Sequence, residues 1–235
     1  MKASFSAFRS LLRRVPPLLV SLLVLSVVGM NLLANKSINT GVSWLALDCG
    51  ILFSWLTFLC MDILTQAYGP RSATLLSLSA LAMNLLMAGL FFLASLVPGV
   101  WGESYVEGSE AVINTALNHT FGGTWFVILG SSVAFASSAA LNNFLNYGIG
   151  RRLGRDRGFG GFALRAYVST FLGQFADNLI FALLVSRTFF GWTLLQCFTC
   201  ALTGALAELL FEVLFSPMGY RLSRSLLAER AGQAG

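Results

Sequence analysis

Six apolar segments, each long enough to cross a bilayer as a helix, occupy most of this 235-residue chain. They run over residues 16–34, 42–68, 73–97, 121–148, 162–186 and 192–215. A hydrocarbon core of about 30 Å takes roughly 20 helical residues. Segments of this kind cannot be buried together in one water-soluble core. The charge content agrees: 11% of the residues are charged, against about a quarter in a soluble domain. In lipid each span must satisfy its own backbone, which leaves the helix as the element for such runs. The expected fold is therefore an all-α integral membrane protein with six transmembrane helices. It divides into a basic cytoplasmic N-terminus (1–15), a six-helix transmembrane domain (16–215) and a basic cytoplasmic tail (216–235).

Helix-breaking pairs punctuate the runs. Gly69-Pro70 separates the second span from the third, and Pro98-Gly99 and Ser216-Pro217 end two others. The first run is too long for the 7–15-residue core of a signal peptide and reads as a retained helix. Orientation follows from the cations. Four Lys or Arg precede the first span, Arg71 lies in the second turn, five lie between Arg151 and Arg165, and three follow the last span. Only Lys36 and Arg187 fall on the other side, so both termini are expected in the cytoplasm (N-in, C-in), with the protein in the inner membrane. The loop over 99–120 carries Glu103, Glu107 and Glu110 without a cation and is expected outside, with a short interfacial helix around 101–117. The net charge of +5 sits at span ends, which argues for a lipid partner and against nucleic acid.

Ionisable groups within spans are costly and usually face a bundle interior or a watery cavity. Asp62 and Gln66 lie one helical turn apart, as do Asn142 and Asn146, with Asn143 alongside. Gln174, Asp177 and Asn178 share one face in GQFADN, and Glu208 and Glu212 form another pair one turn apart. Asn84, Asn146 and the many serines suit interhelical packing. Asp62 and Asp177 cost too much in lipid for that role and are candidate substrate or proton groups. A weak internal repeat relates helices 4 and 5: SAALNNFLN (138–146) aligns with GQFADNLIF (173–181), so Asn142-Asn143 matches Asp177-Asn178. Paired polar half-sites on two spans are a common way to build a transporter site. Ser131, Ala134 and Ser138 give the fourth span a small-residue face that suits a homodimer.

Enzyme signals are missing. The chain has one histidine, no phosphate loop, no nucleophile elbow and no zinc-protease motif, and CFTC (197–200) lacks a second ligand pair. A carrier without catalytic residues, metal or cofactor is expected. The polar inventory suits a neutral heterocycle. A carboxylate can accept two parallel N–H bonds from a guanine-like edge, an amide can donate to its carbonyl, and aromatic faces can stack on the ring. Trp55, Phe58, Trp125 and Phe181 are candidate stacking groups.

MDILTQAYGPRSA (61–73), STFLGQFADNLIFALL (169–184) and the SPMGY turn (216–220) resemble the queuosine precursor transporter family, also called VUT. The resemblance extends over about residues 44–220. It implies uptake of a 7-deazaguanine (preQ0, preQ1 or queuine) for tRNA modification, with Asp62, Gln174 and Asp177 at the family's polar positions. Two departures stand out. The fourth-span element, which the family builds as Gln-x-x-Asp, is Ala139 to Asn142 here. The last span carries Glu208 and Glu212 where relatives often carry a lysine. The first leaves one half-site without its carboxylate, and the swapped charge of the second points to a substrate bearing an amine, preQ1 or queuine rather than preQ0. The alternatives are another small solute such as a vitamin or nucleobase, a substrate-binding subunit driven by a separate ATPase, or a membrane scaffold.

Overall fold

A computed structural model describes residues 2–45, 47–101, 110–122, 125–153, 158–189 and 191–232. It is helical almost throughout. In chain order the elements are α1 (Lys2–Arg14), α2 (Pro17–Leu33), β1 (Ser37–Ile38), β2 (Leu47–Asp48), α3 (Ile51–Tyr68), α4 (Pro70–Leu96), α5 (Glu110–Gly122), α6 (Trp125–Leu153), α7 (Gly158–Phe181), a π-helical turn (Ala182–Ser186), α8 (Arg187–Phe189) and α9 (Leu194–Gly232). Five helical stretches are long and apolar enough to cross a membrane. They number six if α1 and α2, bent by 108° at their junction, are taken as one broken span. The 17 residues of α2 rise only about 26 Å on their own. Glu103 and Glu107, and most of the basic turn before α7, lie outside the described residues.

The bend at Pro16 turns α1 across the end of the bundle. Phe8 and Leu11 pack inward against the core while Arg9, Arg13 and Arg14 stay exposed, the arrangement of a helix lying at an interface. Gly69, at φ 87°, and Pro70, in the first turn of α4, reverse the chain between α3 and α4. Two ends result. At one end, which holds most of the described arginines, Tyr68 donates to the Arg14 carbonyl at 2.8 Å and Leu226 of α9 joins Val15 in the core. At the other, a β-hairpin sits over the bundle.

The hairpin is absent from the sequence-based expectation, which runs the second span from residue 42. Ser37 pairs with Asp48 and Ile38 with Leu47. Gln196 donates to the Ser43 carbonyl at 3.0 Å, and Thr199 donates to that of Trp44 at 2.7 Å. These bonds fasten the hairpin to the start of α9, and helix α3 begins only at Ile51.

A second correction concerns Ser216-Pro217, expected to end the last span. Instead α9 continues through Pro217 to Gly232. Proline cannot offer an N–H to the carbonyl four residues back. The Ser216 hydroxyl donates to that carbonyl, Val213, at 3.0 Å in its place. With its proton engaged there, Ser216 accepts from the Tyr167 hydroxyl at 2.8 Å. The freed acceptor is satisfied and the helix persists.

The core of Leu19, Leu23, Val27, Phe58, Met61, Leu64, Leu76 and Phe135 joins α2, α3, α4 and α6. Outward, Leu18, Leu25, Leu86, Leu93, Leu210 and Leu214 are exposed. So large an apolar exterior belongs against lipid. Helix α7 packs most extensively between α6 and α9, which brings three of the polar clusters into one place.

Candidate functional site

The deepest polar group is Asp62 of α3, with no exposed surface. Asn142 of α6 donates to its Oδ1 at 2.9 Å and Thr170 of α7 to its Oδ2 at 3.2 Å, with Ser169 at 3.5 Å from Oδ1. Two helices therefore supply donors to a carboxylate on a third. Gly173 makes this possible. A Cβ there would lie 2.7 Å from Phe58 Cε1 and 3.0 Å from Asn142 Cβ, so only a glycine lets α6 and α3 close on α7 at this level.

Beside Asp62 several buried polar atoms have no hydrogen-bond partner: both amide atoms of Gln174, Oδ1 of Asn142 and both carboxylate oxygens of Glu212. Gln174 and Glu212 are fully buried, and Glu212 is near enough to Asp62 for their charges to interact. Buried polar atoms left unpaired cost about 1–3 kcal/mol each. Their concentration on facing helices marks a place built for a ligand or for water. Asn143 behaves differently from its neighbour. It accepts from Thr65 at 3.0 Å and donates to Thr74 at 3.1 Å, clamping α3, α6 and α4 together.

A second cluster lies towards the hairpin. Ser138 donates to Asp177 at 2.7 Å. Glu208 accepts from Ser54 and, at 3.5 Å, from Asn178. Gly204 leaves room for that amide, since a Cβ there would lie 2.7 Å from Asn178 Nδ2. Asp48 reaches in from β2, accepting the Gly50 N–H at 2.7 Å. Burial pushes its carboxyl up to about 6, against the opposing pull of that N–H. Asp48, Asp177 and Glu208 lie within reach of one another's charge. With Asn31, Ser131 and Phe181 they line a cleft of about 50 Å³. That holds a water or two and is well below the 300 Å³ or more of a typical ligand pocket. The conformation is closed around its polar groups.

The structure thus gathers Asp62, Asn142, Gln174 and Glu212 in a deep layer and Asp177, Asn178 and Glu208 in a layer nearer the hairpin. Gln66 lies apart, in an arginine-lined cavity at the opposite end, and Asn84 is buried away from both layers on α4. Neither tryptophan expected as a stacking group lines the cleft. Trp55 stacks on Phe211 and Phe215 of α9, at 5.6 and 4.5 Å between ring centroids, and its Nε1 donates to Leu52. Trp125 is 61% exposed at the start of α6. The aromatics that do reach the layers are Phe58 and Phe181.

Sequence reasoning passed over Asp48, Asn31, Ser169 and Thr170, and read Ser131 and Ser138 only as a small-residue packing face. Thr170 stands one turn before Gln174 and could have been found by the spacing that grouped Gln174 with Asp177. Asp48 was hidden by reading residues 42–50 as part of a helix.

Residues 48–222, which hold every residue of both layers except Asn31, match the family described as "Putative vitamin uptake transporter". The chain belongs to this family. No curated protein matches the chain, and neither does any solved structure. Membership makes the protein a multi-pass membrane transporter by family, and the two buried polar layers lie within the matched region.

Proposed function

We propose that the protein imports a queuosine precursor, a 7-deazaguanine, across the inner membrane with its arginine-rich end in the cytoplasm. The observation that carries this reading is Asp62, a carboxylate held by amide and hydroxyl donors from two other helices, beside a fully buried Gln174 whose amide is unpartnered. A carboxylate and a free amide are the complement of a guanine-like edge: the first accepts from N1 and N2, the second donates to the carbonyl oxygen. Phe58 supplies an apolar ring at the same level. The duplicated motif supports an alternating arrangement, since α6 and α7 run antiparallel and Ser138 meets Asp177 while Asn142 meets Gly173. The two half-sites then face opposite ends of the bundle.

The carboxylates nearer the hairpin favour a precursor with an amine, preQ1 or queuine, over the neutral nitrile preQ0. Uptake of labelled preQ1 into proteoliposomes tests both statements. Removing a hydrogen bond to a charged group costs about 1.5–3 kcal/mol, roughly a 10- to 100-fold loss. Asp62→Ala and Asp177→Ala should each lower uptake by that order while inserting normally. Unchanged uptake in both would remove the site assignment, and equal competition by all three precursors would remove the amine preference.

A further inference from the structure

Three arginines from three helices, Arg151 of α6, Arg165 of α7 and Arg224 of α9, converge on a cavity of about 510 Å³ at the end opposite the hairpin. Among the described residues no Asp or Glu lines it. Arg165 forms its floor and is only 7% exposed, while Arg151 and Arg224 stand exposed at its rim. The floor is shaped for that side chain. A Cβ on Gly150 would lie 2.9 Å from Arg165 Nη1, so the guanidinium lies across bare backbone of α6. Phe162 lies beneath it, 5.6 Å from ring centroid to Cζ. Asp62 acts on Arg165 from the deep layer, while Arg151 and Arg224 add two more guanidiniums to a cavity that no described carboxylate lines.

Two amides face the same space. Asn146 is 1% exposed and lies beside Asp62 without the geometry of a hydrogen bond, so both its amide atoms are unpartnered. Gln66 Oε1 has no partner either. Converging guanidinium forks are the chemistry that recognises a tetrahedral oxyanion. Basic cavities between spans on the cytoplasmic side hold anionic lipid headgroups in the same way.

We propose that this cavity is a binding site for a phosphate-type anion, the headgroup of an anionic phospholipid or free phosphate, which ties α6, α7 and α9 together at the arginine-rich end. The site is separate from the transported solute and does not depend on its identity.

The test is thermal unfolding of the purified protein in neutral detergent. Sodium phosphate is titrated against sodium chloride at matched ionic strength, and short-chain phosphatidylglycerol against short-chain phosphatidylcholine. A rise of several degrees with phosphate supports the site with a free anion as ligand. A rise with phosphatidylglycerol alone supports it with a lipid headgroup. In either case Arg151→Gln/Arg224→Gln, changed only at the exposed rim, should need at least tenfold more ligand for the same shift. Arg224→Gln alone serves if the double variant does not fold. No shift, an equal shift with chloride or phosphatidylcholine, or a shift untouched by the arginine changes overturns the proposal.

Discussion

Gly173 is the position at which the deep layer is most open to a direct test. Replacing it with alanine adds one carbon, 2.7 Å from Phe58 Cε1 and 3.0 Å from Asn142 Cβ. Neither neighbour can yield cheaply. Phe58 has no exposed surface, and Asn142 is held to Asp62 at 2.9 Å. Overpacking of this kind costs about 1–3 kcal/mol. Any Gly→Ala change in a helix also gains about 1 kcal/mol of helix propensity, so Gly173→Ala needs a control. Gly89→Ala in α4 supplies one, because a Cβ there meets nothing within 4 Å. The difference between the two variants isolates the steric cost. At about 2–4 °C per kcal/mol for a chain of this size, Gly173→Ala should melt roughly 2–12 °C below Gly89→Ala in detergent. It should also lose uptake, since Asn142 must move away from Asp62. If Gly173→Ala melts with Gly89→Ala or above it, the close packing of α7 against α3 and α6 is not as described.

Two further outcomes follow from other contacts. Ser216→Ala strips the Val213 carbonyl of its substitute donor at Pro217 and should cost about 1–3 kcal/mol. In a Pro217→Ala background, where the backbone N–H returns, the same change should cost clearly less, and equal costs in a double-mutant cycle would refute the explanation. At Asp48 the folded carboxyl titrates near 6 against an ordinary 3.8. The folded state therefore holds a proton that the unfolded state has released, and this group's contribution to stability falls as pH rises from about 3.8 to about 6, then levels off. Asp48→Asn should flatten the unfolding midpoint across that window, and an unchanged slope would assign the pH dependence elsewhere.

The apolar spans are legible in the sequence because lipid imposes one requirement on every residue of a span. The depth of Asp62 and Gln174 is legible for the same reason, since lipid penalises any other direction. What lipid does not dictate is harder to read. The hairpin rests on two-residue strands and side-chain bonds from Gln196 and Thr199, more than 150 residues away, and its apolar Val42 to Leu45 mimic a span. Pro217 carries a general stop signal, cancelled by one hydroxyl at its own neighbour. Trp55 and Trp125 were selected by chemistry alone. In a chain rich in aromatics, nothing local separates a ring facing a cavity from one packed on α9 or exposed at a helix start. Arg165 was counted as a loop cation, although it is a buried residue of α7.

The central claim is that this chain carries a queuosine precursor. Its most direct test is expression in a bacterium that lacks both queuosine-precursor synthesis and its own importer. The cells are fed trace preQ0, preQ1 or queuine separately, with an enzyme able to insert queuine directly supplied for the last. Queuosine in tRNA is then measured. The account predicts that queuosine returns, most strongly with preQ1 or queuine, and that Asp62→Ala sharply lowers the return. No queuosine with any precursor, in cells where the protein is inserted in the membrane, would contradict it.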